Sequence, residues 1–93
     1  MPSYRAPVKD TLFVLQSVCK LDAHSNLPGF ADATPDVVQA VVEEGGKFCA
    51  EVLFPLNRSG DEEGCTYVGD GVVKTPAGFR QAWQQFREAG WGT

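Results

Sequence analysis

The sequence predicts a mainly α fold: three helices with one small β-hairpin. Apolar residues recur at helical spacing in three stretches. Two Thr-Pro pairs, Thr34-Pro35 and Thr75-Pro76, look like helix starts. One Asp-Gly pair, Asp70-Gly71, separates two short β-branched runs. With 93 residues the chain is one domain at most, and its core must be thin.

Taken in order, the first ten residues read as extended, because Pro2 and Pro7 disfavour helix at Met1 and Ala6. Asp10 is a plausible N-cap for a helix over residues 11–21. Leu12, Leu15 and Cys19 share one face, with Val14, Val18 and Leu21 beside it. So broad a stripe needs cover on more than one side. Residues 22–33 form a connector around the turn signal Leu27-Pro28-Gly29-Phe30, with Leu27 and Phe30 as candidate apolar pins.

Thr34 as N-cap, Pro35 at the first helical position and Asp36 in the first turn open the second helix. Val38, Val41, Val42, Phe48, Cys49, Val52 and Leu53 follow its spacing. Gly45-Gly46 interrupts, and each glycine costs about 0.5–1 kcal/mol against alanine inside a helix. Either packing overrides that cost or the helix breaks; one continuous helix is the expectation. Gly45 falls on the apolar stripe, where a missing side chain lets another backbone approach. Pro55 should kink or end the helix. The stretch FPLNRSGDEEGC, residues 54–65, therefore reads as a helix exit followed by a polar turn.

Thr66–Val68 and Val72–Lys74 read as hairpin strands about Gly69-Asp70-Gly71. A lone hairpin is marginal and must lean on something else. Thr75-Pro76 then opens a third helix. Phe79, Ala82, Trp83 and Phe86 make one of its faces heavily aromatic, and Gly90 is a suitable residue to end it.

The net charge of −4 and the scattered lysines and arginines argue against nucleic-acid binding. Cys19, Cys49 and Cys65 are odd in number, far apart and without a C-x-x-C pair. They are neither a disulfide framework nor a zinc motif. Cys19 and Cys49 sit among apolar residues and read as small hydrophobes. The polar N-terminus and the short run LFVL fit neither a signal peptide nor a membrane span, so a cytoplasmic protein is expected.

No motif names a reaction. His24 is the only histidine, and adjacent Ser25 does not make a nucleophile–base pair; a surface loop histidine is the expectation. Asp61, Glu62 and Glu63 suggest a cation loop, but both calcium registers fail. Counting from Asn57 puts Glu62 where glycine belongs and Val68 where glutamate belongs; counting from Asp61 puts Cys65 at an oxygen-ligand position. A solvated acidic turn remains. Gly69-Asp70-Gly71 is not a dinucleotide fingerprint, and no phosphate-binding loop occurs. The aromatic stripe of the third helix, together with Trp91, reads as core or interface and needs a partner surface.

A collinear set of short matches runs through the chain: Tyr4-Arg5-Ala6-Pro7 with Asp10 and Phe13-Val14-Leu15; Leu27-Pro28-Gly29-Phe30; Glu51-Val52-Leu53 with Pro55-Leu56-Asn57; Gly60-Asp61 and Gly64-Cys65; Thr75-Pro76 with Gly78-Phe79; and Ala89-Gly90-Trp91. In this order the chain resembles the N-terminal region of acyl-CoA dehydrogenases, more narrowly a bacterial branch with an extra N-terminal segment. Some members of that branch act on 3-methylmercaptopropionyl-CoA. Gly45-Gly46 departs from the family pattern.

The resemblance implies an N-terminal extension over residues 1–33 and the start of the N-terminal helical domain over residues 34–93. It implies a parent enzyme that binds FAD, oxidises acyl-CoA to 2-enoyl-CoA, passes electrons to an electron-transferring flavoprotein and forms a homo-oligomer. In the family the catalytic base and most flavin contacts belong to later domains. No catalytic, FAD-binding or metal residue is therefore assigned here, and no FAD is expected on this segment alone. An inactive packing element partnered by the remaining domains is the first expectation. The alternative is an independent helical interaction module that self-associates through the Phe79–Phe86 face. A small enzyme using Cys65 or His24 is a third.

Overall fold

A computed structural model describes residues 3–93; the expectation for Met1 and Pro2 lies outside them. The fold is mainly helical with one two-stranded antiparallel hairpin, as the sequence predicts. Two compact units divide the described chain. One runs through Ala50 and the other from Glu51 to Thr93.

In the first unit α1 spans Val8–Phe13, so the chain is extended only as far as Pro7. Asp10 is not the N-cap; it lies in the first turn, where its charge still favours the helix start. Pro7 takes the cap position because a residue there needs no amide hydrogen. Its φ of −79° and ψ of 61° close an inverse γ-turn, in which the Val8 amide donates to Ala6 O at 2.8 Å. Both the amide and the hydroxyl of Thr11 then donate to Pro7 O, at 2.9 and 2.7 Å.

A π turn, Val14–Val18, continues α1, and the Cys19 amide reaches Val14 O at 2.8 Å. Lys20, at φ 50°, ends the run. Leu12, Leu15 and Leu21 are half-buried, whereas Cys19 is exposed. The connector is a chain of short turns: a 3₁₀ segment Leu21–His24, then amide-to-carbonyl bonds from Leu27 to His24, Phe30 to Leu27 and Ala33 to Phe30. Leu27 and Phe30 are 42% and 40% exposed, so neither pins the loop as anticipated. The local turns hold it instead.

Helix α2 spans Pro35–Phe48 and starts as predicted. Thr34 is the N-cap, its hydroxyl accepting from the Val37 amide at 3.4 Å, with Pro35 opening the first turn. The glycine pair lies inside an unbroken helix. A Cβ placed on Gly46 would meet Ala6 Cβ at 3.0 Å and Val8 Cγ2 at 3.1 Å. At Gly46 the missing side chain thus lets the N-terminal segment approach closely. That contact is the packing that offsets the glycine cost.

Pro55 does not end the helix. A π turn, Cys49–Leu53, follows α2, and α3 runs over Phe54–Glu63 without a gap. The π turn lies just where the proline ring would crowd the carbonyl four residues back, so a locally widened helix accommodates it. FPLNRSGDEE is therefore helical and not a polar turn. The turn is confined to Gly64, at φ 67°, whose amide donates to Gly60 O at 2.8 Å.

In the second unit, β1 (Thr66–Gly69) pairs with β2 (Val72–Lys74) in the register Thr66 to Lys74, Tyr67 to Val73 and Gly69 to Val72, with a bulge at Val68. Asp70 and Gly71 both have positive φ, 53° and 76°, as a type I′ turn requires. Helix α4 spans Phe79–Glu88 and begins later than Thr75-Pro76 predicts. Gly78, at φ 89°, takes the cap position, and the Thr-Pro pair belongs to the approaching turn. Among the described residues no helix is long and apolar enough to cross a membrane.

Candidate functional site

The titratable residues singled out by sequence are largely exposed or engaged in local contacts. His24 is exposed, with Nδ1 3.0 Å from Lys20 O. Cys65 is exposed and Cys49 half-buried; all three thiols are free. Two of the three acids serve local structure. Glu62 Oε1 accepts from Arg58 Nε at 2.9 Å along the exposed face of α3. Glu63 Oε2 accepts from the Ala77 amide at 2.8 Å, tying the end of α3 to the turn before α4. Among the described residues no group of histidine, cysteine and carboxylate side chains could hold a metal ion. Gly69-Asp70-Gly71 is the hairpin turn, its Gly71 amide donating to Tyr67 Oη at 3.2 Å.

The built feature is the contact of α3 with the start of α4 and the aromatic face of α4 beyond it. Phe79 lies over Gly60: a Cβ there would come within 2.5 Å of the ring. Leu56 likewise fills the space beside Gly78, where a Cβ would lie 2.7 Å from its Cδ2. Ala82 is the inward residue of α4, only 6% exposed, and Pro76 is buried near its start. The aromatic stripe is thus divided. Phe79 meets Gly60 of α3 and Ala82 is buried, whereas Trp83 is 58% exposed. Trp83 stacks on Phe86, with ring centroids 5.4 Å apart and planes 15° from parallel.

After α4 the chain folds back. The Gly90 amide donates to Arg87 O at 3.0 Å and the Trp91 amide to Phe86 O at 3.3 Å, the paired bonds of a Schellman motif. Gly90 has the required positive φ of 83°. The Thr93 hydroxyl donates to Gly90 O at 2.9 Å, closing a second turn. Gly92 lies close to Phe86, 3.4 Å from the ring if a Cβ is placed on it. Between this turn and the Trp83–Phe86 stack lies a groove of about 540 Å³, with Arg87 and Glu88 on its wall. The sequence marked Gly90 and the stripe but not the groove, which arises only when residues 90–93 double back. A Gly-Trp pair directly after an aromatic helix was the available signal.

Comparison with known proteins identifies what this arrangement belongs to. Over 89 residues, 96% of the chain, the sequence is 34% identical to 3-methylmercaptopropionyl-CoA dehydrogenase of Ruegeria pomeroyi. It belongs with the acyl-CoA dehydrogenases. A second acyl-CoA dehydrogenase, butyryl-CoA dehydrogenase of Syntrophomonas wolfei, is 31% identical over 80 residues, 84% of the chain. The chain spans 15% of the length of the first relative and 12% of the second. It corresponds to a segment of an acyl-CoA dehydrogenase. No family model matches it.

Proposed function

We propose that this chain is the N-terminal helical part of an FAD-dependent acyl-CoA dehydrogenase. Residues 1–33 are an N-terminal extension, and residues 34–93 begin the helical domain. The parent enzyme oxidises an acyl-CoA thioester to its 2-enoyl-CoA and hands electrons to an electron-transferring flavoprotein. This segment holds no catalytic base, flavin ligand or metal ligand. It acts as scaffold, covering the remaining domains and supporting a homo-oligomer in the cytoplasm.

One observation carries this reading: similarity over 96% of the chain to an enzyme of which it covers only 15%. The open apolar surface supports it, since Phe13, Val18, Tyr67 and Trp83 are all more than half exposed.

The test is to purify the 93-residue chain and assay it for bound flavin and for acyl-CoA oxidation with an artificial electron acceptor. A colourless, inactive protein is expected. Stoichiometric flavin on the chain alone would refute the scaffold role. An independent interaction module is favoured if the natural reading frame stops after Thr93 and the chain binds its target without further domains.

A further inference from the structure

We propose that the exposed side of α1 and of the π turn after it is a contact surface for an anionic lipid bilayer, which it touches and does not cross. Such a contact sets where the protein sits, separately from what it catalyses.

Charge is distributed unevenly along the chain. Residues 1–20 carry Arg5, Lys9 and Lys20 against Asp10 alone, a net charge of +2. The remaining residues carry five cations against eleven acids, a net charge of −6. Arg5, Lys9 and Lys20 are all exposed, and none has an ion-pair partner among the described residues. Apolar side chains are exposed in the same stretch. Phe13 is 61% exposed, Val14 46% and Val18 63%, whereas Leu12 and Leu15 are half-buried. Val8 lies against Gly46 of α2, and Phe13, five residues on, falls on a different side of α1.

The π turn groups these exposed residues. In a regular α-helix five residues amount to about 140° around the axis, which would part Phe13 from Val18. The wider π turn, closed by the Cys19 amide on Val14 O at 2.8 Å, brings residues five apart nearly into line. Phe13, Val14 and Val18 thereby form one patch. Lys9 stands one turn before Phe13, and Lys20 lies just past the π turn.

Chemistry selects the occupant. A bilayer takes aromatic and branched aliphatic side chains at its headgroup boundary while its phosphates meet the heads of lysine and arginine. An apolar protein face would have to bury the same three cations unpaired or bring a carboxylate to each. Three cations and three apolar side chains give a weak, reversible attachment that salt screens, not an anchor.

The experiment is cosedimentation of the full-length natural protein carrying these residues with lipid vesicles. At low salt, vesicles of phosphatidylcholine with about a third phosphatidylglycerol should carry the protein down, and high salt should release it. Pure phosphatidylcholine vesicles should leave it in solution. Lys9→Gln and Lys20→Gln should each weaken binding about fivefold, and Phe13→Ser about tenfold. All three side chains are exposed, so each variant should keep the unmodified circular dichroism. Val68→Ser, at an exposed position of the hairpin, controls for general stickiness and should change nothing. Failure to bind the acidic vesicles, binding that survives high salt, or an equal loss with Val68→Ser overturns the proposal. A protein that ignores vesicles but binds a soluble peptide of glutamate and leucine through Lys9 and Phe13 has an acidic protein as its partner, which overturns it too. Flavin content and turnover read the dehydrogenase assignment separately, so either can fail alone.

Discussion

Gly60 shows how one residue sets the contact between two helices. It is buried in α3, where alanine would ordinarily stabilise a helix by about 0.5–1 kcal/mol. Here the added methyl would lie 2.5 Å from Phe79 Cζ, and the cost of overpacking is about 1–3 kcal/mol. The clash should win because two ring atoms are involved. Gly60→Ala is expected to lower stability by about 1 kcal/mol in a denaturation followed by circular dichroism, and Phe79→Leu should relieve most of that loss. A stabilised Gly60→Ala protein would show that the ring swings away freely. Glu63 makes a different contact, accepting from the Ala77 amide across fourteen positions of sequence. Because Glu63 is exposed, Glu63→Ala should cost only about 0.5 kcal/mol, with faster hydrogen exchange at the Ala77 amide as the specific readout. Neither partner was legible in the sequence. A glycine inside a helical pattern signals that something packs there, but only the fold says that it is Phe79.

At the scale of elements, the sequence revealed local chemistry and missed what depends on neighbours. Thr34-Pro35 is a cap because its own hydroxyl and the Val37 amide are three residues apart. The Asp70-Gly71 turn is likewise set by two backbone conformations. Thr75-Pro76 has the same residue types but stands in a turn, since Gly78 can adopt the left-handed cap and Phe79 then meets Gly60. The first π turn, Val14–Val18, contains neither glycine nor proline, so its residue types gave no warning. The second has a visible neighbour in Pro55. A proline in a regular helix interior costs about 3 kcal/mol against alanine, but the π turn has already made room for this one. Substituting it also frees the unfolded chain, which offsets part of any gain. Pro55→Ala should therefore stabilise by no more than about 1 kcal/mol in a thermal melt. A gain near the full proline penalty would mean that the π turn absorbs none of the strain.

For the whole molecule, area decides how far this chain can stand alone. A compact monomer of 10.1 kDa should expose about 5,300 Å², and two separate compact bodies of half that mass about 6,400 Å² together. The chain exposes 7,428 Å², more than either. Gly60, Pro76 and Ala82 are the buried residues among those described, and no large side chain is fully enclosed. Secondary structure is therefore held largely by capping, turns and half-buried stripes, and these local bonds do not make a cooperative core. The free chain should accordingly retain helical circular dichroism, bind a dye that fluoresces on exposed apolar surface, and unfold over a broad temperature range. Its amides should exchange rapidly, those of the hairpin first, since Tyr67, Val68, Val72 and Val73 are each more than half exposed. Within the parent enzyme the same amides should gain protection together, because added contacts supply the missing burial. A sharp two-state transition with no dye binding by the isolated 93 residues would contradict this. It would mean that the exposed faces close on themselves in solution, and the interaction-module reading would then gain ground over the scaffold.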